Sequence, residues 1–240
     1  MAIAALIDVD GLAKAFGERP VVENVALSLA PGEIVALVGA PGGGKTTTLR
    51  MIAGLLRPDR GRGQVLGEDV LAPQPERRGR IGYMGQRLGL FPDLTVLQNL
   101  SQSAEAHGVL AAHRAVAGAV EHYGLRPVLD TRFSELTGGW ARRVQFVATV
   151  IHRPRLLLLD EPTSGFDTAT RHDIWEWLEA LTADGIGIVV STRDPAEVRR
   201  CRSIVLYRER RALPQRETTA LLDQAGAGGL EAELAPFINA

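Results

Sequence analysis

With 240 residues, 45% of them hydrophobic, the chain is long enough for one large α/β domain or two small ones, with a sizeable core. Its 27 basic and 28 acidic side chains leave a net charge of -1, which excludes the global field that gathers nucleic acid or anionic lipid, so partners must be sought at local sites. The single cysteine, Cys201, excludes an internal disulfide and fits a reducing compartment.

The first residues lack a basic stretch and meet acidic residues within ten positions, so they do not read as a secretory signal. No apolar run approaches the roughly 20 residues that span a bilayer. Residues 3 to 9 and 21 to 29 are predicted strands of a small antiparallel layer; Val25, Leu27 and Leu29 alternate with polar or small residues. Glu33 to Gly39 is a continuous apolar run ending in glycine, followed by a glycine-rich turn and a helix from Lys45 to about Leu56. Residues 57 to 80, rich in Pro, Gly and Arg, read as loops around a short strand, and Ile81 to Met84 as another strand.

From Thr95 to about His122 the composition favours two helices, with Thr95 as an N-cap. A further helix runs from Gly139 to His152, with Val144, Val147, Ala148 and Ile151 on one face. Arg155 to Asp160 is a strand with apolar residues on both faces, as in a parallel sheet covered by helices. Helix 168 to 183, strand 186 to 191 and helix 195 to 201 follow, the last with Asp194 as N-cap and Pro195 in the first position. The alternation describes a doubly wound α/β core interrupted by a helical insert. After Pro214 the glycine- and alanine-rich tail carries little signal.

Between the third strand and its helix, Gly39-Ala40-Pro41-Gly42-Gly43-Gly44-Lys45-Thr46 fits the phosphate-loop pattern G-x-x-x-x-G-K-[ST]. A bare match arises by chance about once in a hundred chains of this length. Here it also has the required strand and helix on its flanks. Glycines permit positive φ and close approach of backbone, so successive amides can wrap a phosphate at the positive end of the helix. Lys45 is placed to reach the β- and γ-phosphates, Thr46 to ligate Mg²⁺, and Thr47 to complete the nucleotide-binding set. Asp160 ends an apolar strand and is followed by Glu161. Beside a phosphate loop, Asp160 suits the Mg²⁺ shell and Glu161 suits polarising the attacking water.

Leu136-Thr137-Gly138-Gly139-Trp140, followed by Ala141-Arg142-Arg143-Val144, lies between these two motifs. It resembles the signature of ABC ATPases, usually LSGGQ followed by a basic helix. The order of motifs resembles that family from about residue 5 to 213. The resemblance implies an α/β fold: a P-loop NTPase (RecA-like) core with an N-terminal antiparallel β layer and an inserted α-helical subdomain. It puts the ATPase domain at 1–215, the helical subdomain at about 87–153 within it, and a short C-terminal tail at 216–240. Phe16 looks like the aromatic that stacks on adenine. Gln86 looks like the Q-loop glutamine that touches Mg²⁺ or the water, and Ser164-Gly165-Phe166-Asp167 looks like the D-loop. The implied activity is ATP hydrolysis with Mg²⁺, powering transport through separate transmembrane permease subunits.

The signature amides of Thr137, Gly138 and Gly139 have a use only across a dimer, where they face a γ-phosphate held by another subunit. That partner is a second copy or a different ATPase subunit. Such a protein is cytoplasmic and peripheral, held on the inner face of the cell membrane by its permease. Two positions depart from the family pattern. Trp140 replaces the usual glutamine, either reshaping the interface or packing on a neighbour. Arg193 replaces the usual H-loop histidine and keeps charge and donors but cannot change protonation near neutral pH, so hydrolysis is expected to be slow. Residues 86 to 100 resemble drug or polymer exporters more than importers. The competing classes are a degenerate subunit that binds ATP with little hydrolysis, a soluble regulatory ABC ATPase and a small-molecule P-loop kinase. The charge balance carries no nucleic-acid footprint.

Overall fold

Strands β1 (Ile7–Phe16) and β2 (Arg19–Leu29) form an antiparallel hairpin closed by a two-residue turn, with Phe16 opposite Arg19 and Gly17 at φ 61°. In this computed structural model residues 4–72, 79–166, 168–225 and 229–239 are described. β1 extends well past the expected end at residue 9. A bulge at Gly11 (φ 65°) breaks the two-residue period, so the buried positions jump from Val9 to Leu12 and the alternation disappears from the sequence. β4 (Arg60–Val65) and β5 (Glu68–Asp69) continue this antiparallel layer beyond β1.

The core is parallel, in the order β9 (Ser203–Arg208), β3 (Ile34–Gly39), β8 (Gly187–Thr192), β7 (Leu156–Asp160), β6 (Ile81–Met84). β3, β7 and β8 are buried at every position, as their continuous apolar runs require. β10 (Arg211–Ala212) bridges the two halves, pairing with β9 and β2, and β11 (Arg216–Glu217) pairs with β9.

Helix α1 (Lys45–Ile52) follows β3 and stops short of Leu56 because Gly54 turns left-handed at φ 70° and its amide closes on the Met51 carbonyl. Between β6 and β7 the chain leaves the sheet for helices α2 (Val96–Ala106), α3 (Ala112–His122) and α4 (Gly138–Val150). Thr95 caps α2 reciprocally: its hydroxyl accepts the Gln98 amide at 3.2 Å, and the Gln98 side chain accepts the Thr95 amide at 2.9 Å.

α5 (Thr168–Ala183) and α6 (Pro195–Val198) complete the alternation, α6 capped by Asp194 as expected but shorter, since Arg200 and Cys201 close three-residue turns instead. The C-terminal segment, for which the sequence carried no clear expectation, contains α7 (Thr218–Gln224) and α8 (Gly229–Ile238). Leu221, Leu230 and Leu234 are buried in the same apolar core as the helical insert. The carboxyl ends of β3, β7 and β8 open side by side, which is where an open α/β sheet binds its ligand.

Candidate active site

The phosphate loop is shaped by what lies beneath it. A Cβ on Gly39 would sit 2.8 Å from Tyr207 Cβ and 2.9 Å from the Tyr207 carbonyl oxygen, so only glycine fits where β3 ends. Tyr207 is buried, and its hydroxyl donates to Thr48 Oγ1 at 3.0 Å, bracing the first turn of α1. Gly44 is left-handed at φ 104°, and a Cβ there would strike Val22 of β2. No side chain caps α1, so its first amides and the positive end of its dipole are left for an anion.

Lys45 is buried, and its ammonium donates to the carbonyls of Gly39 (2.6 Å) and Ala40 (2.9 Å). Burial pushes its pKa below the ordinary lysine value; the Glu161 and Asp160 carboxylates oppose the shift and Arg193 adds to it. Thr46 Oγ1 donates to Asp160 Oδ2 at 2.7 Å. Asp160 Oδ1 accepts from Ser191 Oγ at 2.7 Å, and Ser191 Oγ accepts the Glu161 amide at 2.9 Å. The sequence marks Ser191 only as the end of a strand, and nothing in its local pattern identifies it as the joint between the two carboxylates.

Glu161 lies at φ 48°, a left-handed conformation that costs a non-glycine residue about 1–3 kcal/mol, and the bond to Ser191 holds it there. Arg193 Nε stands 3.6 Å from Glu161 Oε1. A cleft of about 350 Å³ opens beside them, lined also by Ser164, Gly165, Arg171 and Asp194. Its floor is held by Glu197, a buried carboxylate that accepts hydroxyls from Thr163, just past Glu161, and from Thr192, just before Arg193. Neither Glu197 nor these threonines were legible as site residues, because their juxtaposition depends on tertiary packing.

An uncharged hydroxyl and one carboxylate, Thr46 and Asp160, form an oxygen-only donor pair that suits Mg²⁺, which usually shares its shell between one or two protein ligands and substrate phosphate. Gln86 is exposed two residues past β6 and makes no side-chain hydrogen bond among the described residues. Its backbone surroundings are pinned instead. Arg142 Nη1 donates to the Gly85 carbonyl at 2.8 Å and to Gln145 Oε1 at 3.0 Å, while Gln145 Nε2 donates to the Arg87 carbonyl at 3.0 Å. Arg142 Nη2 also lies 3.4 Å from the Glu161 carbonyl oxygen. One buried guanidinium thus ties together the segments around Gln86, α4 and Glu161.

Phe16 is 58% exposed at the tip of the β1–β2 hairpin, with the Lys14 ammonium 5.7 Å from its ring centroid. Pro41 and Gly42 are exposed and Gly43 half-buried. Thr137 stands at the N-cap of α4 without capping it, and Gly138 and Gly139 form the first turn. Among the described residues no hydrogen bond joins Thr137, Gly138 or Gly139 to the phosphate loop of the same chain. Of the D-loop positions, Phe166 packs on the core; Asp167 lies outside the described residues.

The chain is similar to known proteins over most of its length. The family described as ABC transporter matches residues 22–164. A Nod factor export ATP-binding protein I of Paraburkholderia xenovorans (strain LB400) is 38% identical over 221 residues, 91% of this chain and 73% of its own length. A probable multidrug ABC transporter ATP-binding protein, YbhF of Escherichia coli (strain K12), is 35% identical over 90% of this chain, which spans 38% of that protein. A solved structure described as the ATP-binding subunit of an ABC transporter superposes with a TM-score of 0.85 at 29% identity, covering 96% of this chain and 99% of that one. CbiO1 of Clostridium perfringens shares the fold, with a TM-score of 0.81 at 23% identity, covering 92% and 91% of the two chains. ATP-binding domains of this kind are in general ATPases. On the family match and the identity to these relatives, the chain belongs to the ABC transporter family as an ATP-binding subunit.

Proposed function

We propose that the chain is the hydrolytic motor of an exporter-type ABC transporter, working as one of two ATPase domains that close on ATP beneath transmembrane permease subunits. The observation that carries this reading is the division of the site. The groups that hold and attack a phosphate are gathered around Lys45, whereas Thr137, Gly138 and Gly139, at the start of α4, share no hydrogen bond with that loop among the described residues. Those amides complete a site on another ATPase domain, identical or different.

ATP enters with its adenine against Phe16 and its phosphates on the amides of residues 42 to 47. Lys45 trades its two carbonyl partners for the β- and γ-phosphates, and the phosphate charge offsets the burial that depresses its pKa. Thr46 and Asp160, with Gln86, hold Mg²⁺, which supplies charge neutralisation on the phosphates when bound. Glu161 polarises the water that attacks the γ-phosphate. Arg193 offers a fixed positive charge to the γ-phosphate, but its pairing with Glu161 competes with that carboxylate's hold on water, and its charge cannot be switched near neutral pH. Turnover is correspondingly slow. The exporter direction rests on the names of the relatives and on residues 86 to 100.

No helix among the described residues is long and apolar enough to cross a membrane. A groove of about 770 Å³ between α2 and α3, with Leu97, Val116, Val120 and Leu129 in its lining and His113, Glu121 and Arg126 beside them, offers the permease a partly apolar seat. Attachment there makes the protein peripheral on the inner membrane face. Mg-ATPase activity is to be measured for the protein and for Glu161→Gln, with oligomeric state followed in ATP. The expected outcome is loss of activity in the variant together with ATP-trapped dimers. Undiminished activity in Glu161→Gln, or absence of nucleotide binding, overturns the proposal.

A further inference from the structure

The guanidinium of Arg143 lies between two indole rings, its central carbon 5.3 Å from the Trp140 ring and 5.8 Å from the Trp177 ring. The same guanidinium pairs with the Asp173 carboxylate. Trp140 and Arg143 are one turn apart on α4, whereas Asp173 and Trp177 are one turn apart on α5. Trp177 is anchored in turn, stacked on Phe146 at 5.5 Å and meeting Tyr123 edge-on at 4.9 Å. The contact continues to the helix start, where a Cβ on Gly139 would lie 3.9 Å from Thr170 Oγ1 of α5.

We propose that Trp140 is a positioning residue: with Trp177 and Asp173 it clasps Arg143 and so fixes the signature glycines, Gly138 and Gly139, against the helix that follows Asp160 and Glu161. The inference rests on the ABC-motor reading for its use, because the orientation of these glycines matters when they meet a nucleotide on another domain. A planar guanidinium stacks on aromatic faces while its edge donates to a carboxylate, so one side chain satisfies both helices at once. Glutamine at 140 has no ring face to offer, and Arg143 would then be held from the α5 side alone. The indole therefore turns inward and leaves the backbone donors of the signature in place, while stiffening the frame that carries them. Arg193 and Trp140 act on different parts of the cycle, one at the γ-phosphate and the other on the rigidity of the opposing surface.

Amide hydrogen exchange on the nucleotide-free protein tests the clasp directly. Trp140→Gln is expected to speed exchange of the amides of residues 141–144, the first that are hydrogen-bonded within α4, about threefold, the loss expected for one partly exposed cation–π contact, while β7 exchanges as before. Trp140→Phe restores a ring and most of the protection; Trp140→Leu keeps apolar bulk without a π face and does not. Should Trp140→Gln fail to fold, the Phe and Leu pair decides alone. In the Glu161→Gln background, Trp140→Gln should raise the ATP concentration for half-maximal dimerisation about threefold while nucleotide affinity of the separate domains stays constant. Unchanged exchange at 141–144 in Trp140→Gln, or equal protection in the Phe and Leu variants, overturns the clasp. If no ATP-dependent dimer forms even with Trp140 intact, the motor reading fails and the exchange data still judge the clasp.

Discussion

Replacing Arg142 by methionine keeps much of its length and apolar stem but removes the fork that joins three parts of the site. Two well-formed hydrogen bonds disappear, to the Gly85 carbonyl at 2.8 Å and to Gln145 Oε1 at 3.0 Å, and a third contact at 3.4 Å to the Glu161 carbonyl goes with them. Bonds from a charged donor contribute about 1.5–3 kcal/mol each, and acceptors left unpaired in the interior cost more. Against this, burial pushes the Arg142 pKa down, with the Asp160 and Glu161 carboxylates opposing it, so removing the cation recovers part of its desolvation. The balance is a loss of about 3 kcal/mol. With a urea dependence of about 3 kcal/mol per molar, the unfolding midpoint falls by about 1 M. Arg142→Lys, which keeps the charge and at most one of the bonds, should lie between. ATPase assays on the folded variant should show kcat falling more than nucleotide affinity, because Lys45 and its loop are untouched. A midpoint shift under about 0.2 M, or an affinity loss equal to the kcat loss, would refute the assignment of Arg142 as the tie between Gln86, α4 and Glu161.

Arg193→His is expected to raise kcat, since it releases Glu161 from the 3.6 Å pair and introduces a group that titrates near neutral pH; an unchanged steady-state ATPase rate would show that this position does not limit turnover. His152 is held down to about 4 by burial and by the His107 ring stacked at 4.0 Å. Between the unfolded value near 6.5 and pH 4 the unfolded chain binds a proton that the folded chain does not. The corresponding stability is full above pH 6.5 and falls with pH toward 4, by about 1–2 kcal/mol after allowance for partial exposure. His152→Gln should flatten that part of the pH dependence of Tm. Gly63→Ala drives a Cβ to within 2.1 Å of the Asp8 carbonyl oxygen at φ 122° and should cost more than about 3 kcal/mol. Gly67→Ala, at φ 81° with open space around it, should cost about 1 kcal/mol in thermal melts.

Elements with a regular apolar pattern or a clear cap were legible in the sequence. Ile81–Met84 and Thr168–Ala183 run where the apolar pattern puts them, and Thr95 and Asp194 cap the helices they precede. The phosphate loop was legible because its groups are consecutive in the chain. β1 was cut short because the bulge at Gly11 shifts its register, and α8 was missed because Leu230 and Leu234 are its only fully buried apolar positions. Arg142 and Glu197 were invisible as joints for a different reason. Their partners lie at 85 and 161, and at 163 and 192, separations that carry no local period. The direction in which Trp140 turns is likewise set by α5, not by the residues beside it.

Asp160 engages two hydroxyls with two different oxygens, Thr46 through Oδ2 and Ser191 through Oδ1. Only the first bond has to be exchanged when a nucleotide arrives; the second, and the Glu161 amide beyond it, can stay as they are. The left-handed backbone at Glu161 is therefore held by a bond that does not depend on the Thr46 side of Asp160. Thr46 can thus change partners at one oxygen of Asp160 while the other oxygen keeps the strand end at Ser191 and the Glu161 backbone in register.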